Sequence, residues 1–250
     1  MSLKWLVLLA AFCSTAGAAF DLRMAAQDSA PKFIKEGEAW RGICVDIMRA
    51  IEYVDPEIRF QPLAGFQALP KIEAALESGG VDVGCALART PQRALRFHVV
   101  DIPLYHTFGR LAVRASDPVE LRSFTDLRHQ GGGVLSVRGT IHSQILLARG
   151  MPLDESPERV TDALRRLIEG RGRFVFHNDF ALRESIARAR LGDRVRVLPN
   201  LFDFPELDSG RYMMVSRKVT PEAREHLRSA LEILQRSGEL ARIFESFRLR

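Results

Sequence analysis

Gly80-Val81-Asp82-Val83-Gly84-Cys85-Ala86-Leu87-Ala88-Arg89-Thr90-Pro91-Gln92-Arg93 is the stretch on which the fold turns. Val81–Leu87 is a largely apolar run, the pattern of a strand buried on both faces of a parallel sheet. Gly79-Gly80, just before it, closes a helix over Leu69–Leu76, since glycine readily takes the left-handed conformation that ends a helix. Upstream, Leu22–Ala26 and Arg59–Leu63 have the composition of strands. Val45–Tyr53 puts Ile47, Ala50 and Ile51 on one helical face, with Asp46 near its start. Downstream, Leu111–Val113 is a further strand, and Asp126-Leu127 opens a new unit. That unit contains strand Val134–Val137, the Gly139-Thr140 turn and helix Ile141–Ala148. It continues with helix Thr161–Ile168, strand Phe174–Phe176, helix Ala181–Arg190 and strand Val195–Leu198. Strand Tyr212–Val215 precedes two closing helices, Pro221–Ser237 and Leu240–Phe247; Leu227, Leu231 and Leu234 stand at helical spacing in the first. Such alternation predicts an α/β protein with mainly parallel sheets.

The bulk properties agree. The 250 residues suffice for one large domain or two small ones, and 46% hydrophobic with 27% charged residues is an ordinary globular composition. The longest apolar run, Trp5–Cys13, has nine residues, whereas a membrane helix needs about 20. Lys4, that run and Ala16-Gly17-Ala18 together form the charged, apolar and small-residue parts of a secretory signal peptide over residues 1–18. Phe12 before Cys13 is not the small residue that lipid attachment requires. Cleavage after Ala18 removes Lys4, lowering the formal net charge from +5 to +4, and leaves Cys44 and Cys85 of the three cysteines. In an oxidising compartment these two can pair, but the sequence does not say whether they do. The arginines, including Arg89, Arg96, Arg110 and Arg122, are dispersed among acids, so nucleic acid is not an expected partner. No CxxC or HExxH spacing suggests a metal, no cofactor motif occurs, and the six histidines show no ligand spacing. His142 and His177 are candidates to face a ligand cleft, with packed or solvated imidazoles the favoured reading.

Three stretches in order carry a resemblance: Gly42-Ile43-Cys44-Val45-Asp46-Ile47, the Gly80–Arg93 segment, and the tail from Tyr212 through Ser237-Gly238-Glu239-Leu240 to Ile243-Phe244. With the leader, they resemble the type II periplasmic solute-binding proteins of family 3, the amino-acid-binding components of ABC importers, over about residues 19 to 250. The resemblance implies two Rossmann-like α/β lobes with a ligand cleft between them, joined by two hinge segments. Carried onto this chain, the large lobe is 19–103 plus 207–250, the small lobe 108–201, and the hinges 103–107 and 202–206. It implies a monomeric periplasmic protein that binds a small carboxylate-bearing solute, an amino acid or analogue, and delivers it to a membrane permease. No appended domain is expected.

The resemblance also suggests the ligand residues. Arg93, ending the Thr90-Pro91-Gln92-Arg93 turn, stands where the family grips the ligand carboxylate, a task suited to a planar guanidinium. Thr90 and the backbone at Ala88 line the same wall, although Ala88 replaces a frequent serine or threonine. Gly139 and Thr140 open a small-lobe helix, where Thr140 either caps the helix or donates to an anion. Asn178 occupies the place of the usual aspartate that meets the ligand ammonium, with Asp179 next to it. Either Asp179 serves or the ligand carries no free α-ammonium. Phe66 and Trp40 are candidate aromatic platforms, and Asp28 is a candidate ammonium partner or a turn residue. Rivals on the same fold are a dehydratase-like enzyme and a sensor for a membrane receptor. Asp101, Asp179 and Glu184 show no pairing that would make a catalytic acid.

Overall fold

The computed structural model describes residues 19–199 and 208–248. The expected leader, 1–18, and the expected second hinge, 202–206, lie outside them. In chain order, the first half has β1 (Phe20–Leu22), β2 (Met24–Gln27), β3 (Ile34–Glu36), β4 (Ala39–Arg41), α1 (Ile43–Val54) and β5 (Ile58–Phe60). There follow β6 (Phe66–Gln67), α2 (Leu69–Ser78), β7 (Val83–Ala88), α3 (Pro91–Arg96), β8 (His98–Val99) and β9 (Tyr105–Arg114). The second half has α4 (Phe124–His129), β10 (Val134–Leu135), α5 (Ile141–Ala148), β11 (Leu153–Asp154), α6 (Val160–Ile168) and β12 (Phe174–Asn178). It ends with α7 (Asp179–Arg188), β13 (Val195–Val197), β14 (Asp208–Val215), α8 (Pro221–Arg236) and α9 (Glu239–Arg248).

The strands form two α/β lobes. In one, β2 pairs in parallel with both β7 and β6; in the other, β10 pairs in parallel with β11 and β12. Two strands run across. β9 pairs with β14 through Tyr105–Phe108 and with β12 and β13 through Gly109–Arg114. β14 pairs with β9 through Asp208–Arg211 and with β7 from Arg211 onward. The expectation of mainly parallel sheets therefore fails at the centre, where β12–β9, β9–β14 and β14–β7 are all antiparallel. A chain that crosses from one lobe to the other and later returns must lay its crossings in opposite directions. The sequence reading also placed a short strand at Leu111–Val113, where a single ten-residue strand begins at Tyr105.

Each lobe has its own apolar core. In the first, α1, α8 and α9 press Ile43, Ile47, Ile51, Leu227, Leu231 and Leu240 onto Met24, Val83 and Met213. In the second, Leu111, Val134 and Phe174 face one side of the sheet, and Leu135, Val175 and Leu164 the other. Alternate residues of β10 and β12 thus serve different layers, as the strand period of two requires.

The Gly42–Ile47 motif has a local cause. Gly42 precedes α1 at φ 124°, and a Cβ there would lie 2.5 Å from Lys32 O and 2.6 Å from Pro31 O. That close approach lets the first helical amides donate across it, Ile43 N to Pro31 O and Cys44 N to Lys32 O, both at 3.0 Å. The start of α1 thereby fixes the loop that carries Lys32. Gly42→Ala is expected to destabilise the fold by about 2–4 kcal/mol, because both the dihedral and the space exclude a side chain. A denaturant midpoint within error of wild type would refute this.

Cys44 and Cys85 are disulfide-bonded, with Cα atoms 6.0 Å apart and 41 residues of sequence separation. The bond ties the start of α1 to the middle of β7. Closing a loop of that length is worth about 4 kcal/mol in the chain-entropy account. Asp82 anchors the other end of the motif by accepting from Arg23 N and Arg23 Nε at 2.8 Å each.

Candidate functional site

The crossing strands floor a cleft between the lobes. From the first lobe come Gln27, Lys32, Ala88 and Arg93; from β9 and β14, Tyr105, Thr107 and Arg211; from the second lobe, Thr140, His142, His177, Asn178 and Phe180. These stand at the carboxyl ends of β2, β7 and β12 and at the N-termini of α5 and α7, where α/β sheets gather their ligand groups. The lobes touch across this cleft: Arg93 Nη2 donates to Gly139 O at 3.2 Å.

Arg93 reaches the wall expected of it and is 2% exposed, but its guanidinium is already engaged. Nε and Nη2 donate to Glu73 Oε1 at 3.0 and 2.7 Å, and Nη1 donates to Ala88 O at 2.8 Å. Glu73 Oε2 also accepts from Arg96 at 2.9 Å. The face that would grip a carboxylate bidentately is turned to Glu73. Thr90 is the N-cap of α3, its Oγ1 accepting from Arg93 N at 3.2 Å, and it does not line the cleft.

Thr140 lines the cleft and also caps α5, accepting from Ser143 N at 3.4 Å while donating to Val137 O at 2.8 Å. Gly139, at φ 73°, supplies the turn and the carbonyl that Arg93 meets. Asn178 and Asp179 part company. Asn178 lines the cleft, with Oδ1 accepting from Ala181 N at 2.7 Å as the N-cap of α7 and Nδ2 lying 3.1 Å from His177 Nδ1. Asp179 accepts from Phe108 N at 3.1 Å and lines a different opening beside Arg183, Glu184 and Phe244.

Asp28 and Phe66 lie outside the cleft. Both line a neighbouring opening, where Asp28 Oδ2 pairs with Arg159 Nη1 of the opposite lobe at 3.5 Å. Phe66 meets Trp40 edge to face at 5.0 Å between ring centroids. The candidate ammonium partner is an inter-lobe contact, and the candidate platform packs against the other candidate platform.

The sequence reading missed Lys32 and Arg211, and it set His142 and His177 aside as packed or solvated. Arg211 is 6% exposed, and its Nε and Nη2 donate to Thr107 Oγ1 at 3.0 and 2.7 Å, with no carboxylate in ion-pair reach among the described residues. Burial lowers it to about 10. Lys32 Nζ donates to Gln27 Oε1 and, at 3.5 Å, to Ala86 O. Burial, with the charges of Arg211 and Arg93 added, pushes its ammonium down to about 7. The position of Lys32, in the loop following the first parallel strand, was the available signal. Arg211 offered none beyond being a charge at the head of an apolar strand.

His142 and His177 stack with ring centroids 4.4 Å apart, and His142 Nδ1 is buried without a partner. Burial, reinforced by Arg211 and Lys32, pushes His177 down to about 3, and burial with His177 as neighbour holds His142 well below its ordinary value. Both imidazoles are therefore neutral near pH 7. As pH falls below 6.5, the unfolded chain binds protons that the native protein refuses, so stability is lost. The slope is about 1.4 kcal/mol per pH unit per histidine. Urea midpoints at pH 7 and pH 5 should show this loss, and His142→Phe should reduce it. An equal slope in that variant would remove His142 from the account.

The profile of the bacterial extracellular solute-binding proteins, family 3, matches residues 22–249. Comparison with curated proteins by sequence finds no match. The substrate-binding protein of an amino acid ABC transporter superposes with a TM-score of 0.75 at 18% identity, covering 92% of this chain and 100% of that one. A histidine kinase sensor domain with similarity to periplasmic binding proteins gives 0.75 at 21% identity, covering 92% and 95%. An ancestral amino acid-binding protein, a precursor of cyclohexadienyl dehydratase, gives 0.73 at 18% identity, covering 91% and 94%. At these identities the likeness is one of fold.

Proposed function

The chain belongs to the bacterial extracellular solute-binding proteins, family 3, and on that footing we propose that it is a periplasmic receptor for a small carboxylate-bearing solute, which it passes to the permease of an ABC importer. One observation carries the reading: a cleft between two lobes is lined by buried cations and spanned by two strands that join the lobes. Lobes joined so narrowly can close over a solute by hinge motion, with one hinge at 103–107. Among the described residues no aspartate or glutamate lines this cleft, which leaves a dehydratase without a carboxyl acid and favours capture over turnover. The expected leader would take the chain to the periplasm, where it works as a monomer without a cofactor.

Trp40 reports on this reading. It is the sole tryptophan beyond residues 1–18. Its partner Phe66 lines the seam where Asp28 meets Arg159 of the opposite lobe. Titration with a panel of amino acids and their deaminated analogues is expected to give one saturable emission shift. The Kd should be micromolar or tighter, about −8 kcal/mol. Consumption of that solute in a long incubation, followed by mass spectrometry, would replace the receptor with an enzyme.

A further inference from the structure

We propose that the cleft selects a small dianion that carries no amine, held between Lys32 and Arg211; this rests on the reading of the cleft as the solute site. Three cations reach the cavity, Lys32, Arg93 and Arg211, and among the described residues no carboxylate lines it. Glu73 stands behind Arg93 and neutralises that one alone. Lys32 and Arg211 are left with neutral partners, Gln27 Oε1 and Ala86 O for the first and Thr107 Oγ1 for the second. Asp179 acts on Arg211 through its charge but forms no ion pair with it, and its carboxylate is committed to Phe108 N. Two cations taken out of water without counter-ions are costly, and a ligand bringing two negative charges removes that cost.

The same geometry disfavours an amine. Three of the side-chain oxygens that could receive an ammonium are engaged: Gln27 Oε1 by Lys32, Thr107 Oγ1 by Arg211, and Asn178 Oδ1 by Ala181 N. Asn178, which lines the cleft, is turned to capping α7. An ammonium would enter a field of two uncompensated cations with no acid to meet it. The unpartnered Nδ1 of buried His142 is instead available as a donor to a ligand oxygen once the ring proton sits on that nitrogen.

Proton uptake gives an independent readout. Lys32, near 7, is mostly deprotonated at pH 8, and a dianion beside it restores the charge. The other titratable groups on the cavity stay as they are at that pH. His142 and His177 are held neutral, burial raises the phenol of Tyr105, and Arg211 remains a cation. Binding at pH 8 should take up close to one proton per ligand, about 0.9.

The test is calorimetry of the whole protein at pH 8 in two buffers of different ionisation enthalpy. The probes are succinate with L-aspartate, glutarate with L-glutamate, butyrate as the monoanion, and inorganic phosphate and sulfate as dianions without carbon. The expected result is one dianion binding at least about tenfold tighter than its amino or monoanionic counterpart, with proton uptake that Lys32→Met abolishes. Preference for a diacid or for an inorganic oxyanion names the acid group. An amino acid that binds as tightly as its deaminated partner, or a dianion bound without proton uptake, overturns the inference and leaves the receptor intact. A melting temperature that responds to none of these probes and none of the twenty amino acids overturns both.

Discussion

Lys32→Met is expected to yield a protein that is more stable when free and holds its solute about a hundredfold more weakly. The ammonium of Lys32 feels the charges of Arg211 and Arg93 and has only neutral acceptors. Its folded value, about 7, lies below the 10.5 of an unhindered lysine. Between those values the unfolded chain binds a proton that the native chain does not, so wild-type stability rises with pH through that window. Below it the full cost of burying the charge is present. Methionine keeps the length of the side chain and removes the charge. Because Lys32 is only part-buried, the gain at pH 7 should be roughly 2 kcal/mol. The same change removes one of the two cations that hold the solute, a loss of about a hundredfold in affinity. Stability and function then move in opposite directions, as expected where a site is kept strained for its ligand. Urea melts at pH 7 and pH 10 with a calorimetric titration check both halves. A variant less stable at pH 7 than wild type would show that Lys32 is a structural residue.

Arg211 is expected to hold the solute's acid group, the role that the family resemblance assigns to Arg93. Arg93→Ala removes the partner of a largely buried carboxylate, a donor to Ala88 O and the contact to Gly139 O across the cleft. Arg96 still holds Glu73, so the cost is about 2–3 kcal/mol rather than the full amount for an orphaned buried charge. Arg211→Met removes a cation whose Nε and Nη2 both donate to Thr107 Oγ1. Its stability changes little, and its affinity for an anionic solute falls by a hundredfold or more, about 3 kcal/mol. Melting curves and calorimetry on the two variants separate these effects. Unimpaired binding by Arg211→Met, with binding abolished in a well-folded Arg93→Ala, would restore Arg93 as the carboxylate residue.

The lobes were legible because their signals are local and periodic. Val81–Leu87 is a largely apolar run because β7, Val83–Ala88, is buried along its whole length, and Leu227, Leu231 and Leu234 repeat because one face of α8 meets the core. Gly42 was quotable as part of a motif, although its cause, the approach to Pro31 and Lys32, is tertiary. The crossing strands were cut short because β9 changes partners at Phe108–Gly109, and nothing in its sequence marks the change. The site was harder to see for the same reason. Whether Arg93 is free depends on Glu73, twenty residues away. Whether Asp28 is a ligand residue depends on Arg159, 131 residues away. Lys32 and Arg211 are single cations outside any repeat, and only the fold reveals that they share a cavity. The choice between Asn178 and Asp179 was one of register; Asn178, the N-cap of α7, lines the cleft, and Asp179 lines a different opening.

The most direct measurement is a crystal structure of the protein grown with the tightest-binding probe. The account expects difference density in the cleft, with one acid group against the guanidinium of Arg211 and the other within hydrogen-bond reach of Lys32 Nζ. Asp179 should still accept from Phe108 N, and Arg93 should still be paired with Glu73. Density outside the cleft, or a ligand amine seated against Asp179 with its carboxylate on Arg93, would contradict it.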